Sequence, residues 1–80
     1  MVVSAPPKDS PVYKYYEQTE EVLMLASRLF GDRAAALSWL IQPNDYFFND
    51  SPQTVIYKNE FELVRDLLLE RLGEKEGFAF

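Results

Sequence analysis

The side chains that could do chemistry here are carboxylates, hydroxyls and lysines, because the chain contains no histidine and no cysteine. Imidazole bases, thiolate nucleophiles, disulfides and the usual zinc sites are therefore excluded. Glu17, Glu20 and Glu21, and likewise Glu60 and Glu62, sit where a solvated helix face normally carries charge. Asp45, Asn49 and Asp50 have the residue types of a calcium loop. They lack its alternating ligand spacing, central glycine and closing glutamate. With only three glycines in the chain, no glycine-rich phosphate loop occurs. No catalytic residue, metal site or cofactor is expected, and binding fits better than catalysis. The binding candidates are apolar: Trp39, Tyr46-Phe47-Phe48, the surplus leucines Leu63 and Leu69, and the terminal Phe78 and Phe80. Interfaces are enriched in such anchors, and small cores use the same side chains.

The elements that must position these residues belong to one small domain of 80 residues. A chain this short buries only about 60% of its unfolded surface, so its stability is marginal or partner-assisted. Thirteen acidic against eight basic residues leave a net charge of −5. That disfavours phosphate-backbone binding, which needs a Lys/Arg footprint, and it permits a basic protein partner. No apolar run reaches membrane-spanning length, and the opening Met-Val-Val-Ser-Ala-Pro-Pro is not a signal peptide pattern. A soluble cytoplasmic chain without nucleic-acid or membrane contacts is expected.

In order, residues 1–10 read as a flexible arm rich in proline. A first helix is expected over about 11–30, with Ser10 as N-cap, Pro11 at the first position and Gly31 as left-handed C-cap. Tyr15, Thr19, Val22, Leu23, Ala26, Leu29 and Phe30 form its apolar stripe. Asp32 then caps a second helix, about 33–42, with Leu37, Leu40 and Ile41 inward. Trp39 lies off that stripe and either roofs the core edge or is exposed. Pro43 stops this helix, because it has no N–H and disfavours helical geometry at Gln42. An aromatic-rich corner follows over 43–51. Ser51-Pro52 starts a short helix over about 52–57, and Asn59 caps a last one over about 60–72. Phe61, Val64, Leu67, Leu68 and Leu72 form the last stripe, and Gly73 is its cap. The remainder, 74–80, is a tail. The fold expected is all-α, a small bundle of about four helices spanning 11–73.

The order of these residues resembles the toxin-binding domain of the Xre/MbcA/ParS-type antitoxins. Leu29-Phe30-Gly31-Asp32 stands at the start of the similar region, Ala35-Ala36 precedes Trp39-Leu40, and Pro43-Asn44 follows at the family's step. Phe47 takes the family's Leu position and Ser51-Pro52 that of its Ser/Thr-Pro. Val64, Asp66-Leu67-Leu68 and Gly73 continue the resemblance, which covers about Leu29–Gly73. Gly31, Asp32, Trp39, Leu40, Pro43, Asn44, Phe47 and Pro52 accordingly read as scaffold. Two features depart from the family. Its Gly-Gly is replaced by Phe48-Asn49, and the glycine common before the last helix is missing. Glycine implies a tight or positive-φ turn, which Asn49 can adopt and Phe48 cannot adopt cheaply. The loop is therefore expected to differ in shape. The helix-turn-helix region that relatives commonly carry is also expected to be absent, since the chain has no room for it.

The resemblance implies a bacterial or phage antitoxin-like protein that neutralises a cognate toxin. In that family the toxin is typically a RES-type enzyme that consumes NAD or ADP-ribosylates a target. Inhibition there is by occlusion of the active-site entrance by the antitoxin's C-terminal part. Carried over, the last helix and the 74–80 tail are the blocking parts, which gives Leu69, Glu70, Leu72, Glu74, Glu76, Phe78 and Phe80 as partner-binding residues; Phe48, where the chain departs from the family, is added as the corner residue specific to this chain. By a charge argument separate from the resemblance, Glu70, Glu74 and Glu76 are expected to meet basic residues of the toxin that hold the NAD phosphates. The alternative is a helical interaction module unrelated to toxins, which binds another protein or itself as a homodimer.

Overall fold

A computed structural model describes residues 6–76, and all regular structure within them is helical. The helices are α1 (Tyr13–Phe30), α2 (Arg33–Ile41), α3 (Pro52–Tyr57) and α4 (Phe61–Glu76). A single 3₁₀ turn, Asp45–Phe47, lies between α2 and α3. The all-α reading holds, with differences at several helix ends.

Helix α1 begins later than expected. The Ser10 hydroxyl accepts the amide of Val12 at 3.3 Å, a local turn that competes with capping. The Ser10 carbonyl accepts the amide of Tyr13 at 3.0 Å, so Pro7–Tyr13 is a pair of turns and Val12 occupies the cap position without a side-chain bond. At the other end Gly31 is left-handed (φ 79°), and its amide donates to the Ser27 carbonyl at 2.8 Å.

Asp32 caps α2 by accepting the amide of Ala34 at 3.1 Å. Pro43 acts as expected, holding Gln42 extended at φ −97°, ψ 147°. The inward face of α2 is not Leu37, Leu40 and Ile41, however. Ala36 and Leu40 are buried, while Leu37 and Ile41 are exposed. Ala36, fully enclosed, has the small side chain that allows a close approach to the neighbouring helices. Trp39 is half-buried, its ring 5.8 Å from that of Phe30 at the core edge.

The corner is aromatic in sequence but forms no aromatic cluster. Its backbone closes on itself: Asn44 accepts the Tyr46 amide on its side chain at 2.9 Å, and the Asn44 amide donates to the Asp50 carbonyl at 3.2 Å. This turn sends Phe47 into the core and leaves Tyr46 and Phe48 outside. Ser51 caps α3 through the Thr54 amide at 3.1 Å, with Pro52 buried at the first helical position.

Asn59 does not cap α4. It is left-handed (φ 64°) and closes α3, its amide donating to the Ile56 carbonyl at 3.0 Å. Its side-chain oxygen accepts from Lys14 Nζ at 2.9 Å and from the Tyr15 hydroxyl at 3.1 Å, tying the start of α4 to that of α1.

Gly73 is not a C-cap either: α4 runs through it to Glu76. A mid-helix glycine costs about 1 kcal/mol relative to alanine. The last turn is held by its contacts with α1. Lys75 Nζ donates to the carbonyls of Arg28 and Leu29 at 2.8 and 2.7 Å. Glu76 accepts two bonds from Arg28, at 2.7 and 2.9 Å. Helices α1 and α4 therefore lie side by side in the same direction. Their negative dipole ends meet, and Lys75 sits where a cation offsets both. The core between the helices is Val22, Leu23, Leu25 and Ala26 of α1, Ala36 and Leu40 of α2, Phe47, Val55 and Ile56, and Phe61, Val64, Leu67, Leu68 and Leu72 of α4.

Candidate partner-binding surface

Phe48 and Asn49 follow the 3₁₀ turn, and both have positive φ, at 56° and 70°. Phe48 thus adopts the conformation expected to be costly for it, and the loop keeps the positive-φ backbone where a different shape was expected. For a bulky side chain the left-handed region costs about 1–2 kcal/mol. Packing does not offset it, since Phe48 is 95% exposed. A strained residue with an unused aromatic ring suggests a role outside the fold.

Beside Phe48 is a groove of about 470 Å³ between the corner and α4. Phe47 and Val55 form its buried floor, and Tyr46, Phe48 and Leu63 form its exposed walls. Charges ring it. Lys58 Nζ donates to Asp50 Oδ2 at 2.8 Å, bridging the corner to the end of α3. That hydrogen bond, followed by the coulombic pull of Asp50 and of nearby Glu60, raises the Lys58 pKa above the ordinary lysine value, and desolvation opposes the shift only in part. Glu60 completes the rim.

The outward side of α4 continues from the groove. Glu62, Asp66, Glu70 and Glu74 recur every four residues, all exposed. Steps of four advance about 40° around a helix, so they form one shallow acidic ridge. Leu63 and Leu69 flank it, about 120° apart, and therefore do not share a contact patch. Arg65 and Arg71 partly neutralise the ridge, at 3.3 Å from Asp66 and 3.5 Å from Glu74.

The expected partner residues divide accordingly. Phe48, Leu69, Glu70 and Glu74 are exposed. Leu72 is not available: at 2% exposure it is a core residue, because α4 turns it towards α1. Glu76 is committed to Arg28. Phe78 and Phe80 lie outside the described residues. Of the scaffold set, Leu40, Phe47 and Pro52 are buried, Asp32 and Asn44 bond backbone amides, and Gly31 closes α1. The sequence names Tyr46 beside Phe48, whereas sequence reasoning missed Asp50, Lys58 and Glu60 as its neighbours. Beyond the two aromatics, only Leu63, standing off the α4 stripe, signalled the groove.

A second groove of about 850 Å³ lies between α1, α2 and α3, walled by Tyr15, Tyr16, Leu37 and Tyr57. Among the described residues no group of three or more acids is placed to hold a metal ion. None of the described helices is long and apolar enough to cross a membrane. Comparison with known proteins finds no matching family model, curated protein or solved structure.

Proposed function

We propose that this chain is an antitoxin-like protein-binding domain that neutralises a cognate RES-type toxin by covering its active-site entrance. The observation that carries the reading is the pair of left-handed residues Phe48 and Asn49. They stand where the family that the sequence resembles has Gly-Gly, so the turn keeps a glycine-like backbone without glycine. Asn59 is a further left-handed residue, just before α4, in the segment where the family commonly has a glycine. What differs is the ring that Phe48 adds to the surface.

In this reading the corner anchors the partner and the acidic ridge of α4 meets cationic groups. Glu70 and Glu74 are its exposed carboxylates nearest the C-terminal end, Glu74 paired loosely with Arg71, in place of the wider set expected. The blocking segment proposed is residues 77–80, which follow in sequence a helix end fixed to α1 by Lys75 and Glu76. The alternative, self-association, has one supporting observation, the exposed pair Leu37 and Ile41 one turn apart on α2.

The test is NAD turnover by a RES-type enzyme encoded beside this chain, measured with the purified full-length protein added in excess. The intact chain should stop turnover, while a chain ending at Glu76 should bind without stopping it. Undiminished turnover with the intact chain in saturating excess would overturn the proposal.

A further inference from the structure

We propose that the groove between the 45–48 turn and α4 receives an arginine side chain of a protein partner. The inference rests on the reading of Phe48 as a partner anchor and adds the chemistry of what it meets. Two walls of the groove, Tyr46 and Phe48, present exposed aromatic rings. Its rim carries two carboxylates, Asp50 and Glu60. Asp50 already holds the Lys58 ammonium. Glu60 has no side-chain hydrogen bond or ion pair among the described residues.

A guanidinium fits this arrangement better than other groups do. Its flat face stacks on an aromatic ring while its edge donates in plane to a carboxylate. Its methylene stem can lie along Leu63. An ammonium is a strongly hydrated point charge with no flat face to stack. The chain makes the same combination once internally: the Arg65 guanidinium lies 5.4 Å from the Phe61 ring centroid and donates to Asp66 at 3.3 Å. Charge complementarity extends beyond the groove. The net charge is −5, and Glu62 and Asp66 lead away from the groove along α4, so the approach attracts a cationic partner and repels an acidic one. The arginine therefore belongs to a basic segment that continues along the ridge.

The probe is N-acetyl-arginine amide titrated into the full isotope-labelled chain, with amide shifts as the readout. N-acetyl-citrulline amide, the same shape without charge, is the comparison. Saturable shifts are expected at Tyr46, Phe48, Asp50, Glu60 and Leu63. Citrulline should bind about two- to fivefold more weakly, the difference that an exposed cation–π contact supplies. The response should vanish in Phe48→Gly and weaken in Glu60→Gln, with the spectra of both variants otherwise native-like. Equal responses to the two probes would overturn the assignment, as would an unchanged response in Phe48→Gly. A dimer mass that requires Phe48 would assign the groove to a second copy and also overturn it. No toxin enters this titration, so its failure is distinguishable from failure of toxin inhibition.

Discussion

Replacing Phe48 with glycine should stabilise the free protein, although it removes an aromatic side chain. The left-handed conformation (φ 56°, ψ 43°) costs a residue bearing a Cβ about 1–2 kcal/mol, and glycine is spared that cost. Against this, glycine loses more freedom on folding, about 0.5–1 kcal/mol. The burial forfeited is small. Full burial of a Phe contributes about 1.5–3 kcal/mol, and a ring that is 95% exposed forfeits only about a twentieth of it. The balance is a gain of about 0.5–1 kcal/mol, or a rise of about 2–8 °C in Tm for a domain of this size. Thermal unfolding followed by far-ultraviolet circular dichroism measures it. Phe48→Ala is the control: it removes the ring but keeps the Cβ and its strain, so it should not reproduce the gain. If Phe48→Gly lowers Tm as much as Phe48→Ala does, the ring is packed within the fold. Its role as a free anchor would then be lost.

The other predictions concern charges at the helix ends. Lys75→Met removes both bonds to the α1 carbonyls and the cation between two negative dipole ends. Since the contact is exposed, a loss of about 0.5–1 kcal/mol is expected, seen as a lower Tm and faster amide exchange over residues 73–76. Lys58 should give a weak alkaline response. Its folded pKa is raised, so the stability that it contributes is complete below the unfolded lysine pKa and is lost as pH rises through the folded value. Tm measured from neutral to strongly alkaline pH should fall less steeply in Lys58→Met than in the parent.

What was legible in the sequence were the devices that act through neighbouring residues. Asp32, Ser51, Gly31 and Pro43 each bound or broke a helix where expected, because capping and proline sterics reach only a few residues. Asn44 folds its own loop for the same reason. Ser10 is a local miss, its hydroxyl taken by the Val12 amide; most of the others required contacts between residues far apart in the chain. Gly73 reads as a stop signal from its neighbours, yet Lys75 and Glu76 find partners on α1 about 48 residues earlier and carry the helix past it. Asn59 reads as a cap, yet its side chain is taken by Lys14 and Tyr15. On α2 the period allowed Leu37 and Ile41 inward, and the packing chose Ala36 instead. The Phe48 groove was only partly visible, through Tyr46, Phe48 and Leu63, since its walls come from three separate segments.

The continuation of α4 through Gly73 also bears on how such a domain could block an enzyme. A tail that left the bundle at residue 74 would sweep a wide volume, and ordering seven residues on a partner would cost about 1–2 kcal/mol of backbone entropy for each. Here Glu74, Lys75 and Glu76 are already helical. Those three residues therefore carry no such ordering cost on binding. Contacts of Lys75 and Glu76 with α1 hold this last turn in place. Those contacts lie at the far end of α4 from Leu63 and the Phe48 groove. A partner that engages both would span the length of this helix, with the acidic ridge between its two points of contact. Weakening the Lys75 anchor should therefore reduce inhibition of a bound enzyme without changing the arginine response at Phe48.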